Sequence, residues 1–387
     1  METRNAPFET KLLDRLMEKA GIDLLLATSK PNVQYLLGGY RFHFYEHFDA
    51  IGQSRYLPIF LYPRGKPDRT VYIGHKMEIA QHEVEPLWVA TSRAVSAGSA
   101  DAMQHAIPWL KELRPRRIAV ETAFLPADAM RVLQDGFPEA DIIDALPVLE
   151  RLRARKTAEE IGKLRSASDR VIDAMLAVIA GHGPGSTKRE LIEALRREET
   201  VRGLQFDYCL ITAGTSLNRA PSDQPWRQGD ILSLDSGGNY QGYIGDVCRM
   251  GVLGDPDSEL VDLLAEVDAI QQAAMRAVRA GAAGGAIYTA AETALRDAPD
   301  REQIDFVAHG MGLVSHEIPH LTSTGPVSYE AEDAECPLET SMVLSIETTL
   351  KHRRRGFIKL EDTVLVRPDG FEILGEAGRG WNRGVAA

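Results

Sequence analysis

Residues 230–253 read DILSLDSGGNYQGYIGDVCRMGVL. Apolar and β-branched runs flank a Gly-Gly-Asn step, so the stretch predicts two strands joined by a tight turn at Gly237, Gly238 and Asn239. Asp235 then falls near the end of one strand, between Leu234 and Ser236, and Asp246 on the next, between Gly245 and Val247. A carboxylate inside a sheet is costly unless something offsets its charge. The anomaly recurs downstream, where SMVLSIETTL and GFIKLEDTVLV set Glu347 and Glu361 in otherwise apolar, strand-like runs. One such acid reads as a salt bridge or an exposed edge. Four of them require a shared explanation, the more so because AHGMGLVSHEIPH at 308–320 adds His309, His316 and His320 in a glycine-rich segment.

If the four carboxylates converge, their repulsion in a dry site would be costly or would make them take up protons. Two divalent cations would balance them and leave a bridging hydroxide as a nucleophile. An oxygen-rich shell with one imidazole suits Mn, Co, Fe or Zn and does not choose among them.

The chain of 387 residues, 44% hydrophobic, is long enough for more than one core. Its net charge of -12 would repel a phosphate backbone, and its densest basic run, LRPRR at 113–117, is short, so no nucleic-acid partner is expected. Cys209, Cys248 and Cys336 are too few and too widely spaced for a disulfide framework or a sulfur-rich zinc site. A reducing compartment follows as the default. The opening METRNAPFETKLLDRL alternates charges instead of building an apolar leader, and no run approaches the roughly 18 apolar residues of a membrane span. These features predict a soluble, cytoplasmic protein with no membrane partner.

Residues 1–154 show the rhythm of a small α/β domain. LLDRLMEKAG reads as a helix closed by Gly21 and IDLLLAT as a buried strand; WLKELRPR then IAVE, and MRVLQDGFPEA then DIIDAL, repeat the order. FLYPRGKPDRTVYIG between them reads as a hairpin. The segment GGYRFHFYEHFDAIGQSRYLP at 38–58 packs six aromatic residues with His43 and His47 without a clean period, and is read as a loop over a cleft or toward a neighbouring subunit. At 155 the texture changes: Thr157, with Glu160 three residues on, predicts the N-cap of a long helix running to Gly181. DAMLAVIAGHGPGSTKRELIEALRR at 173–197 then echoes AAMRAVRAGAAGGAIYTAAETALRD at 273–297 without gaps, which predicts a second domain with approximate twofold symmetry over 155–387.

The ordered set of Asp235, Asp246, HGMGLVSHEIP from 309, MVLSIE ending at 347 and IKLED containing 361 resembles the creatinase/prolidase/aminopeptidase P group, the pita-bread metallopeptidases of family M24. GIDLLLATSKPNVQYLLGGY resembles that group's N-terminal domain, and RLRARKTAEEIGKLRSA its linker into the catalytic domain. The resemblance implies an α+β pita-bread catalytic domain at 155–387 with pseudo-twofold symmetry, preceded by a smaller α/β creatinase-type domain at 1–154. It implies five ligands to two metal ions, Asp235, Asp246, His309, Glu347 and Glu361, with Asp246 and Glu361 touching both. It further implies that Glu347 accepts the proton of the attacking water, that His316 donates to the substrate carbonyl, and that the protein is a homodimer. Two departures fall where substrate is recognised. TSLNRAPSDQPWRQGD places Asn218 or Arg219 where the group usually has a histidine, and Lys359 replaces the group's Arg two positions before the last ligand. Arg219, Lys359, His320, His43 and His47 are the substrate-binding candidates. The expected activity is cleavage of short peptides, first of all Xaa-Pro peptides; the alternatives are hydrolysis of a small amide or other compact acidic substrate, and a binding protein that has kept the fold without catalysis. The full ligand set argues against the last, and against creatinase itself, which lacks it.

Overall fold

The computed structural model describes residues 5–44, 56–327 and 329–385. The chain divides into two compact units, 1–153 and 154–387.

The first unit runs α1 (Thr10–Lys19), β1 (Leu24–Ala27), α2 (Lys30–Leu36), β2 (Ile59–Pro63), β3 (Val71–His75), α3 (Ile79–Val84), β4 (Thr91–Ser96), α4 (Ser99–Leu113), β5 (Arg117–Val120), α5 (Ala127–Gly136), β6 (Asp141–Asp144) and α6 (Leu146–Arg153). Its sheet has the order β4-β3-β2-β1-β5-β6. Leu25 and Ala27 enter one apolar cluster and Leu24 and Leu26 another, so β1 is buried on both faces, as its unbroken apolar run requires. β2 and β3 form the expected antiparallel hairpin around Pro67–Arg69. His43 lies in this unit, its backbone N–H donating to Gln81 Oε1 at 3.3 Å and its ring edge-on to Phe44. His47, with most of the aromatic segment read as a cleft cover, lies outside the described residues.

The second unit runs α7 (Ala158–Gly181), α8 (Lys188–Val201), β7 (Gln205–Ala213), β8 (Ile231–Tyr240), β9 (Tyr243–Val252), α9 (Ser258–Met275), α10 (Ala286–Arg296), β10 (Ile304–Met311), β11 (Ser315–Glu317), β12 (Val343–His352), β13 (Gly356–Arg367), β14 (Gly370–Leu374) and β15 (Asn382–Arg383). Thr157 opens α7 with a reciprocal capping box to Glu160, and Thr187 opens α8 the same way with Glu190. The main sheet has the order β11-β10-β12-β13-β9-β8-β7. Two helices followed by strands thus occur twice: α7 and α8 cover β7 to β9, α9 and α10 cover β10, β12 and β13, and the halves meet where β13 pairs with β9. The sequence echo falls on the junction between the two helices of each half.

The sheet separates chemistry from core by simple alternation. Leu234, Val247, Leu360 and Ile346 enter the apolar clusters under the helices. The residues next to them in sequence, Asp235, Cys248, Glu361 and Glu347, form one register row across β8, β9, β13 and β12 on the opposite face. One expectation needs correction. Gly237 and Gly238 lie within β8, and the hairpin turns instead at Gln241 and Gly242, with φ of 54° and 96°. The glycines serve close approach: a Cβ on Gly237 would stand 2.3 Å from the Tyr208 ring, and one on Gly238 2.6 Å from Val171.

Candidate metal centre

Three side chains on that face converge. Asp246 from β9, His309 from β10 and Glu361 from β13 each offer a ligand atom, all within 4.8 Å of one another and all buried. Each is held by a neighbour. Ser315 Oγ donates to Asp246 Oδ2 at 2.8 Å, and Ser345 Oγ donates to Glu361 Oε1 at 2.8 Å. The Tyr208 hydroxyl also lies close enough to the Asp246 side chain to lower its pKa. His309 Nδ1 is 3.1 Å from the Gly310 carbonyl, a contact that places the ring proton there and leaves the Nε2 lone pair facing the cluster. That Nε2 is 3.8 Å from Glu361 Oε1 and is a buried atom without a hydrogen-bond partner among the described residues. A buried imidazole nitrogen facing two carboxylates fits a cation: a divalent ion, or a proton, since burial is outweighed by Glu361, Glu347 and Asp246, which raise the His309 pKa.

The electrostatics agree. Burial, then repulsion from Glu361 and Asp235, pushes the Asp246 carboxyl up to about 7. Burial likewise raises Asp235 and Glu347. Burial also acts against the Glu361 carboxylate, but Lys359 and His309 outweigh it and hold its pKa well below the usual range. Such a cluster is short of positive charge.

Part of that charge comes from a lysine. Lys359 is buried, and its Nζ is 2.7 Å from Asp235 Oδ2, 2.8 Å from Glu361 Oε2 and in contact with Glu347 Oε2. Burial opposes its charge, but Asp235, Glu347 and Glu361 prevail and keep its pKa well above that of an ordinary lysine. Arg219 pairs with the same Asp235 oxygen, its guanidinium lying 5.0 Å from the centre of the Phe357 ring. The five residues expected as ligands therefore fall into two sets. Asp246, His309 and Glu361 fit one ion; Asp235 and Glu347 hold an ammonium, and a second ion does not fit among them as they stand. Lys359 and Arg219, expected to meet substrate, are both engaged by protein carboxylates.

Beside the cluster, the His316 ring stacks on that of His309, with centroids 3.7 Å apart. Burial, then the neighbouring His309, lowers its pKa to about 4, so at neutral pH it is an uncharged donor. Its backbone, at φ 59°, follows the β10–β11 turn, and the Tyr329 hydroxyl donates to its carbonyl at 2.5 Å. His320 stacks on Tyr329 at 3.9 Å, and these rings line a narrow pocket with Val307, Pro319 and Leu321. Glu317 turns the other way, into a buried 2.6 Å ion pair with Lys156. The supporting hydroxyls of Tyr208, Ser315 and Ser345 are absent from the sequence-based expectation. Tyr208 had a partial signal in Gly237, whose missing Cβ lets the ring cross β8 toward Asp246, the register partner of Gly237.

Residues 160–368 match the model of the metallopeptidase family M24, and residues 10–155 match that of the creatinase/prolidase N-terminal domain. A probable dipeptidase PepE of Mycobacterium tuberculosis is 29% identical over 245 residues, covering 60% of this chain and 63% of the relative. An Xaa-Pro dipeptidase of Pyrococcus furiosus is 27% identical over 233 residues, covering 59% of this chain and 64% of the relative. The chain thus matches somewhat less than two thirds of the length of these relatives. An Xaa-Pro dipeptidase structure from Bacillus anthracis superimposes with a TM-score of 0.81 at 19% identity, covering 97% of this chain and 98% of that one, a likeness of fold. The fold is the α+β pita-bread arrangement with a smaller N-terminal domain. Among the described residues, no helix is long and apolar enough to cross a membrane.

Proposed function

The chain belongs to the metallopeptidase family M24, and from that premise we propose that it is a metal-dependent hydrolase of short peptides. The observation that carries the reading is the buried, unpartnered Nε2 of His309 aimed at Asp246 and Glu361. A divalent ion held by these three residues would polarise the scissile carbonyl and lower the pKa of water. Glu347, in the same register row as Glu361, takes the proton of the attacking water and returns it to the leaving amine. His316, neutral and stacked on His309, donates its ring N–H to the carbonyl oxygen as negative charge grows there. The stacked His320 and Tyr329 wall the substrate side of the pocket.

Proline on the leaving side is the first candidate specificity, supported by the Xaa-Pro dipeptidase among the relatives. A small amide with an acidic group is the second reading. It is favoured by Arg219, which is about a third exposed while paired with Asp235 and keeps donors for a substrate carboxylate. The chemistry is assigned to 155–387, with 1–154 as a separate domain; a cytoplasmic homodimer belongs to the same proposal and is tested by light scattering and localisation. The deciding experiment is a metal-reconstituted screen of Xaa-Pro dipeptides, longer Xaa-Pro peptides, their C-terminal amides and unrelated small amides, repeated with Arg219→Gln. Cleavage of Xaa-Pro substrates supports the first reading. Cleavage confined to non-proline amides replaces it with the second, and no cleavage of any compound with metal bound overturns both.

A further inference from the structure

We propose that Lys359 stands in for a metal ion, so that this centre takes one divalent cation rather than two. The inference rests on the metal-dependent reading above and concerns how many ions that reading needs.

The geometry divides Glu361 between two cations. Its Oε1 accepts from Ser345 and faces His309, while its Oε2 faces the Lys359 ammonium at 2.8 Å. A carboxylate that would bridge two ions thus bridges an ion site and an ammonium. Lys359 sits two residues before Glu361 on β13, so both side chains leave the same face of the sheet and the amine reaches back over the register row. There it meets Asp235 and Glu347, and the Asp235 oxygen it touches also receives Arg219. An ion bound to Asp235, Glu347 and Glu361 at the roughly 2.0–2.2 Å typical of metal–carboxylate bonds would occupy the space of Nζ.

Charge leads to the same result. Four carboxylates, Asp235, Asp246, Glu347 and Glu361, are balanced by Lys359, Arg219 and one divalent ion. A second divalent ion would leave excess positive charge in a buried site, with an ammonium against the same oxygens. Arginine at this position would spread its charge over a broad planar fork; lysine is a compact point charge at the end of a flexible stem, closer in shape to a bound ion.

The test uses the full chain, stripped with chelator, reloaded with excess Mn(II) and desalted, with metal counted by mass spectrometry and the Mn(II) environment read by electron paramagnetic resonance. One ion per chain with the spectrum of an isolated Mn(II) is expected. Two ions with a spin-coupled spectrum would overturn the inference and leave the metal-dependent reading standing, whereas no bound ion with Mn(II), Co(II) or Zn(II) would overturn both. Asp235→Asn should keep the single ion, because Asp235 serves the ammonium, and loss of metal in that variant would count against the proposal. Lys359→Met, checked for folding by thermal melting, should raise the count from one to two. A folded Lys359→Met that still holds one ion would show that lysine is not what excludes the second.

Discussion

Ser236 Oγ lies 2.9 Å from Glu199 Oε1 and 2.7 Å from the Tyr208 carbonyl. The Ser236 hydroxyl donates to Glu199 Oε1, which favours the ionised carboxylate. Burial outweighs that bond and raises the Glu199 carboxyl from 4.5 to about 8. A carboxyl with a raised folded pKa binds more protons folded than unfolded, so its penalty is absent below the unfolded pKa and grows as pH rises toward the folded one. Glu199→Gln, which keeps the shape and a donor, should therefore gain stability over the native chain at pH 9, by on the order of 2–4 kcal/mol, and gain little at pH 5. Urea denaturation at both pH values checks this; an equal difference at both would remove the proton from the account. A second residue-scale prediction separates chemistry from metal. His316→Ala should cost roughly 3 kcal/mol of transition-state stabilisation, about 100-fold in rate, with metal content unchanged, whereas Asp246→Ala should lose the metal. Turnover in His316→Ala close to native, with metal retained, contradicts its role as donor. The carboxylates of the cluster were legible because charge in an apolar strand is conspicuous. The hydroxyls that orient them were not, since Ser and Tyr are ordinary strand residues until a partner is placed beside them. Lys359 could be picked out as a departure, but its direction depends on which strands flank β13.

At the level of elements, the glycines of β8 and β9 set how closely the parts pack. Gly245 lies under α7, where an added Cβ would stand 2.6 Å from the Ala167 backbone carbon. Backbone cannot swing aside as a side-chain tip can, so Gly245→Ala should destabilise by roughly 1–3 kcal/mol or more. Gly162, on the exposed side of α7, has nothing within 4 Å of the corresponding point. Gly162→Ala should stabilise by about 0.5–1 kcal/mol through helix propensity and a less flexible unfolded chain. Chemical denaturation of the two variants side by side gives opposite signs if the helix and strand are in van der Waals contact as described; a neutral Gly245→Ala would mean that they are not. The hairpin of 230–253 was readable from composition, but its turn was not. Gly-Gly-Asn is a strong turn signal, and the real turn, Gln241 and Gly242, is weaker. The glycines were taken up by tertiary approach of Tyr208 and α7, which no local pattern encodes. The caps of α7 and α8, by contrast, are local reciprocal bonds written in two residues three positions apart.

Across the whole second unit, the sequence echo carried the plan of two similar halves, because each half repeats the same helical packing problem; the register that joins them depends on long-range pairing and had no sequence signature. Removing metal should destabilise this unit. An ion present at 100 times its dissociation constant contributes about 2.7 kcal/mol, so chelator should lower its melting temperature, and Asp246→Ala should melt at the same temperature with or without chelator. β9 and β13 come together through Cys248 and Glu361, while Asp246 belongs to one half and His309 and Glu361 to the other. An ion held by these three residues would be a clasp across a seam, and a chain deprived of it would be one whose clasp is undone. Deuterium uptake should quicken first along the border of β9 and β13, with the β7–β8 ladder inside a single half keeping its protection, so that loss of the cofactor opens the molecule along the line where its two halves were joined.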